Sequence, residues 1–270
     1  MMAGICLKYG GGDLDILLVM GEYRRKETLQ LIAQFNAKRI IAPFSLKNIF
    51  RKNYDRVFYH KWHKHREVWR SVQIVRHINP KYFDKSIANL NVCDFKIQTL
   101  PQHKTQINNF LAPYNRYKFI VGVNAFGNTA YKFAPQDFAI LAKTLAQKYH
   151  TVLFIMMSFE ANLVRFKPFD EPNIAIWEND NESMNLIELT SRLNLLISPD
   201  TGNVHIADIF EVPILQTMKA NLALKWGGGS YGNECQMLIL KDSWIYDYAK
   251  LKARFCAMAD EMIDRLLTAR

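Results

Sequence analysis

From Lys118 onward, apolar runs of strand length alternate with stretches of helical spacing, and that alternation leaves few folds open to the chain. Phe119 to Val123, Thr151 to Met157, Asn173 to Trp177, Leu193 to Ile197, Val212 to Thr217 and Gln236 to Leu240 read as strands. Pro135 to Tyr149, Phe159 to Phe166, Met184 to Arg192 and Asn203 to Phe210 read as the helices between them. Such an order implies an α/β fold with a parallel, doubly wound sheet, whose ligands collect at the strands' carboxyl ends. A long amphipathic helix from about Ile245 to Leu267 closes the unit, with Tyr248, Leu251, Phe255, Met258, Met262 and Leu266 as its core stripe.

The first part is less regular but similar in kind. Asp15 to Met20 and Lys38 to Ile41 read as strands, Arg24 to Phe35 as a helix, and Lys61 to Ile78 as a basic amphipathic helix. The stretch APYNRYK breaks the pattern near Pro113 to Arg116, so two lobes are expected, 1–115 and 116–270, the first reduced in size. A hydrophobic content of 49% over 270 residues is enough for sizeable cores. The apolar runs fall far short of the roughly 20 residues that span a bilayer, and the glycine-rich, acidic start lacks a signal peptide's apolar core. A cytoplasmic protein is expected. Cys6, Cys93, Cys235 and Cys256 show no paired spacing, which argues against a zinc site or a disulfide framework.

Charge is divided unevenly. Through Lys118 the chain carries 21 Lys and Arg against 8 Asp and Glu, whereas the remainder carries 14 against 17. The first part therefore suits an anionic partner, a class that spans nucleic acid, acidic membrane and anionic glycan.

Reactive side chains concentrate in LNLLISPDTGNVHIADIFEVPILQTM, Leu193 to Met218, which reads as strand, tight polar turn, short helix, strand. The N–H groups of a helix starting after Gly202 lack internal partners and, with the helix dipole, favour a phosphate or carboxylate. His205 in the first turn adds a donor. The plainer alternative is that Asp200 or Thr201 simply caps the helix and His205 is an ordinary surface or core histidine. Two more loops follow strands of the same sheet. VNAFGNTAYKFAP, Val123 to Pro135, offers a glycine, side-chain donors including Asn128, and Lys132 ahead of a helix that Pro135 helps to start. MMSFEANLV places Glu160 at a helix start, either as a dipole partner or as an acceptor for ribose hydroxyls.

Together, NAFGNTAYKFAPQDFAILAKTL and LLISPDTGNVHIADIFEVPILQTM resemble the two signature regions of glycosyltransferase family 9, the lipopolysaccharide heptosyltransferases. Lys132, Phe133 and Pro135 match the first region. Asp200, Thr201, Gly202 and His205 match the Asp, Ser or Thr, Gly, two residues, His pattern of the second, with Pro213 opening the next strand. SMNLIELTSR and KWGGGSYGN add support. The resemblance implies a GT-B fold of two Rossmann-like lobes and inverting transfer of a heptose or similar sugar. The donor would be a nucleotide-diphosphate sugar such as ADP-heptose, the acceptor the lipopolysaccharide core, and no cofactor or metal would be required. Asn128, Lys132, Asp200, Thr201, Gly202 and His205 would surround the diphosphate and sugar, and Glu160 the nucleoside.

The first lobe departs from that family. On this resemblance roughly 70 residues of a usual member are expected to have no counterpart before LDILLVMGEYRRKETLQLIAQFNAKRII, a full Rossmann half running well over 100 residues. Gly10 to Asp13 imitates the missing glycine and aspartate loop, which makes Asp13 the candidate base. In HKWHKHREVWR, Arg66 and Arg70 are the candidates for contacting an acceptor or the inner membrane surface, whose anionic lipids attract polybasic helices. His60, His63 and His65 fit no standard metal spacing. Two alternatives remain: a shortened, inactive relative that binds nucleotide or glycan, and a nucleic-acid binder. The second is disfavoured because no recognised RNA or DNA module is present.

Overall fold

The computed structural model describes residues 4–7, 14–19, 32, 35–43, 54–57, 67–87, 97–127, 133–159, 166–180, 182–240 and 247–269. The chain divides into two compact units, Met1–Leu90 and Asn91–Arg270.

The first unit holds strands β1 (Gly4–Leu7), β2 (Leu14–Val19), β3 (Ala37–Pro43) and β4 (Tyr54–Val57), side by side in that order, with helices α1 (Glu67–Arg76) and α2 (Pro80–Ile87). β2, β3 and β4 are parallel, while β1 pairs antiparallel to β2 as an edge strand. LDILLV and KRIIA are apolar at consecutive positions because both faces of the sheet are covered. Leu17, Val19, Ile40 and Ala42 cluster on one face with Ile32; Leu18 and Ile41 meet Ile74 of α1 on the other. Arg39 ties α1 to β3 by donating to the carbonyls of His77 at 2.6 Å and Ile78 at 3.2 Å. Of the basic helix expected over Lys61 to Ile78, only the part from Glu67 lies within the described residues.

The second unit opens with helix α3 (Pro101–Leu111) and a 3₁₀ turn (Ala112–Tyr114), neither apparent in the sequence pattern. Then come β5 (Phe119–Asn124), α4 (Pro135–Lys148), β6 (Val152–Phe159), β7 (Ile174–Asn179), α5 (Ser183–Thr190), β8 (Leu195–Pro199), α6 (Gly202–Ile209), β9 (Ile214–Lys219), α7 (Ala220–Trp226), β10 (Cys235–Leu240) and α8 (Tyr248–Thr268). All six strands are parallel, in the order β10-β9-β8-β5-β6-β7. That is the doubly wound arrangement, reversing direction between β5 and β8. α4 and α8 cover one face through Phe138, Leu141, Leu145, Phe255, Ala259 and Met262, and α3, α5 and α6 cover the other through Ile107, Leu189, Val204 and Ala207. No described helix is long and apolar enough to cross a membrane.

Three elements differ from expectation. β6 continues to Phe159 because Ser158 and Phe159 still pair with Glu178 and Asn179, so the helix expected from Phe159 does not begin there; Glu160 to Arg165 lie outside the described residues. In α8, Tyr248 is 43% exposed, and the buried stripe is Phe255, Ala259, Met262 and Ile263. Tyr248 is the helix's first residue. Finally, α3 lies within the second unit, ahead of the expected boundary near 115, because Ile107 is buried and Phe110 meets Trp177 edge-on at 4.9 Å.

Polar contacts fix the helices to this frame. Asp247 caps α8 by accepting from the N–H groups of Ala249 and Lys250, and Asp137 accepts from Ala134 at the start of α4. Asp137 pairs with Lys252 at 2.7 Å and Lys148 with Asp260 at 2.7 Å, so α4 and α8 run in the same direction. Buried Asn173 donates to the carbonyls of Ala146, Tyr149 and Val152, closing the end of α4 onto β6.

Glu188 of α5, its side chain 5% exposed, accepts from Thr99 and from both Nε and Nη2 of Arg192 at 2.8 and 2.6 Å. Burial pushes its carboxyl up, but the hydrogen bonds from Thr99 and Arg192 hold it below the ordinary glutamate value. The resulting contribution is complete above about pH 4.5 and is lost as pH falls through the folded value. Glu188→Gln should lower stability at pH 7 by about 1–2 kcal/mol, since the exposed Arg192 is already solvated, and should flatten the acid limb of a stability-against-pH curve. Parallel curves for both proteins between pH 3 and 7 would refute the assignment.

Candidate functional site

The strands that flank the topological reversal end in polar residues. Asn124 is the last residue of β5, one step beyond the Val123 and Ile197 pair, and so lies beside Ser198 near the end of β8. Its side chain is 1% exposed and joins the two loops. Nδ2 donates to Ser198 Oγ, Thr201 Oγ1 and the Phe126 carbonyl, each at 3.1 Å, and Oδ1 accepts from Phe126 N–H at 3.3 Å. Ser198 in turn donates to the Pro199 carbonyl at 2.8 Å.

Gly127 brings the loops into direct contact. A Cβ there would lie 2.7 Å from Thr201 Cγ2, 2.9 Å from Pro199 Cγ and 3.1 Å from the Asp200 carbonyl oxygen. Only glycine fits unless one loop moves. The glycine of the first loop is thus a packing requirement against the second, which its sequence position alone does not reveal.

Thr201 occupies the N-cap position of α6 in an extended conformation, but makes no side-chain cap to the helix. Its hydroxyl is engaged by Asn124 and Ser198. The plain capping alternative therefore fails for Thr201, because the hydroxyl is used to join loops. Gly202 is exposed, and among the described residues nothing lies within 4 Å of where its Cβ would stand, so the first turn of α6 is uncovered by them at that point. The helix dipole and backbone N–H groups make that open turn a place for an anion. Half-buried His205 sits within the same turn, its imidazole 5.9 Å from the indole of Trp226.

Among the sequence-predicted residues, Asp200, Thr201, Gly202 and His205 come together on this turn. Asp13, Arg66, Asn128, Lys132 and Glu160 lie outside the described residues, and Arg70 is described only as part of the α1 backbone. Sequence reasoning missed Asn124, Ser158, Ser198, Gln216 and Thr217, all buried polar residues near the carboxyl ends of apolar strands. Their signal was available: FIVGVN, VLFIMMSF, LLISP and ILQTMK each turn polar near the end. Ser158 Oγ, Thr217 Oγ1 and Gln216 Oε1 are buried without a hydrogen-bond partner among the described residues. Burying polar atoms unsatisfied is costly.

No protein-family model matches the sequence, and no curated protein is significantly similar to it. Its fold does match solved structures. A glycosyl transferase family 9 structure from Veillonella parvula superposes with a TM-score of 0.65 at 14% identity, over 96% of this chain and 75% of that one. ADP-heptose lps heptosyltransferase II of E. coli gives 0.56 at 11% identity, over 92% and 78%. E. coli heptosyltransferase WaaC, solved with ADP, gives 0.55 at 11% identity, over 94% and 73%. The likeness is one of fold, and it extends over nearly the whole chain.

Proposed function

We propose that the second unit binds a nucleotide-diphosphate sugar at the reversal between β5 and β8, and that the protein is an inverting glycosyltransferase. The observation that carries this reading is the joining of the β5 and β8 loops, by Asn124 and by the bare α-carbon of Gly127, at the open first turn of α6. A doubly wound sheet collects ligands at that crevice. The fold's likeness to heptosyltransferases, one of them solved with ADP, supports an ADP-sugar as donor and a heptose as the sugar moved. In this reading Asp200, Thr201, Gly202 and His205 surround the diphosphate, with Asn128 and Lys132, while Glu160 receives the ribose hydroxyls. A lysine, a histidine and a helix N-terminus stabilise a departing diphosphate without calling on a cation. The acceptor would be an anionic lipopolysaccharide core sugar, approached from the basic first unit with Arg66 and Arg70, and Asp13 would take the proton of its hydroxyl.

The test incubates the purified protein with ADP-heptose and heptose-deficient core, measuring ADP release and, separately, ADP binding by calorimetry. Release that disappears in Asp200→Ala and Lys132→Ala is the expected result. ADP binding without release would assign the protein to the inactive, nucleotide-binding alternative. No ADP binding at all would overturn the site.

A further inference from the structure

His205 lies one turn into α6, and the Cα–Cβ bonds of a helix lean toward its N-terminus, so this imidazole is well placed to serve the open turn at Gly202. A half-buried imidazole is nevertheless free to change rotamer unless something holds it. Among the described residues its aromatic neighbour is Trp226, the last residue of α7, at a centroid separation of 5.9 Å and an interplanar angle of 60°. The separation falls within the range of about 4.5–7 Å over which aromatic rings attract one another. Lys225 Nζ stands 4.8 Å from the centre of the same indole.

The glycine-rich segment after Trp226 is itself closely packed. A Cβ at Gly227 would be 2.4 Å from the Ala223 carbonyl oxygen, which is backbone of α7 itself. One at Gly228 would be 2.9 Å from Ile214 Cδ1 and 3.1 Å from Val204 Cγ1, the side chain preceding His205. At Gly229 φ is +80°, a turn favouring glycine. The N–H groups of Gly229 and Ser230 then both donate to Asp208, at 2.5 Å to Oδ1 and 3.3 Å to Oδ2.

Asp208 is the more telling partner. It is 1% exposed and lies in the last turn of α6, where the helix dipole disfavours a negative charge. Nothing about helix stability recommends a carboxylate at that point. Its hydrogen bonds come from two consecutive N–H groups of the glycine loop, an arrangement suited to hold an anion. His205 and Asp208 are three residues apart, hence on one face of α6, and the loop between their partners runs along that face.

We infer that Trp226 is a positioning residue for His205: the glycine loop Gly227–Gly229, anchored on the Asp208 carboxylate, holds the indole so that the imidazole is fixed toward the first turn of α6 before any ligand arrives. The inference rests on the nucleotide-binding reading for what His205 then contacts, but the positioning itself can be tested without it.

The experiment is a double-mutant cycle on the full chain, with ADP as the probe. Trp226→Leu should weaken ADP binding about tenfold in the wild-type background and less than about twofold in a His205→Ala background, because a residue that acts through another has no effect once that other is removed. Trp226→Phe should restore most of the affinity, and Asp208→Asn should act in the same direction as Trp226→Leu. NMR of the His205 ring protons supplies the independent measure. Their ring-current displacement should vanish in Trp226→Leu and persist in Trp226→Phe. Equal losses of affinity in both backgrounds, or unmoved His205 resonances in Trp226→Leu, would overturn the inference. Should the wild-type protein bind no ADP, the nucleotide reading falls and the resonances still decide whether Trp226 positions His205.

Discussion

Gly127→Ala should weaken nucleotide binding as well as folding. The added methyl meets Thr201 Cγ2, Pro199 Cγ and the Asp200 carbonyl oxygen at 2.7–3.1 Å, and of these the last is backbone and cannot swing aside. One of the two loops must therefore move, at a cost of about 1–3 kcal/mol in stability. A displacement approaching 1 Å at a ligand-holding turn weakens function on the order of tenfold to a hundredfold. Gly202→Ala provides the contrast. Its Cβ meets none of the described residues, so unfolding should shift by no more than about 0.5 kcal/mol while the methyl obstructs whatever approaches the first turn of α6. Calorimetric titration with ADP alongside thermal unfolding separates the two quantities. Wild-type ADP affinity in Gly127→Ala would show that the joined loops do not shape the binding site.

Phe255→Ala should produce the largest loss of stability. The ring is 2% exposed and meets Phe133 at 5.5 Å and Phe138 at 6.1 Å, both edge-on. It also lines a cleft of 230 Å³ between α4 and α8, so truncation enlarges a space that is already incompletely filled. Such deletions cost about 3–5 kcal/mol, or about 10 °C in Tm for a unit of this size. Phe133 lies just ahead of α4, so loss of its aromatic partner also loosens the end of the β5 loop and should weaken ADP binding. Tyr248→Ala, at the exposed start of the same helix, should change stability by less than about 0.5 kcal/mol. Equal Tm values for the two variants would contradict the buried stripe assigned to α8.

Much of the second unit was legible in the sequence because its strands are uninterrupted apolar runs, and a run buried on both faces has few alternatives to a parallel sheet. β5, β8 and β9 and helices α4 and α6 lie within one or two residues of their expected limits for that reason. α3 and β1 were not legible. In PQHKTQINNFL only His103 and Ile107 are buried, too sparse a stripe for periodicity to reveal, and β1 has four residues with a single neighbouring strand. The stripe of α8 was read one turn too far because spacing locates a helix face without showing where its neighbour ends.

The site divides along the same line. A strand followed by SPDTGNVH determines by itself a helix start bearing unpaired N–H groups, a histidine and an acid, since those follow from chain order and backbone geometry. Which of these side chains is committed elsewhere is a question of distance between segments remote in sequence. Thr201 is spent on Asn124, 77 residues away, and Gly127 is glycine because of Pro199 and Thr201. Asp208 is a carboxylate because Gly229 and Ser230 approach it from beyond the next strand. Local sequence sets φ, ψ and hydrophobic period, which is why the helix start could be read directly. Only the packed sheet, by bringing the ends of β5 and β8 side by side, decided that the turn is joined to its neighbouring loop and exposed at Gly202.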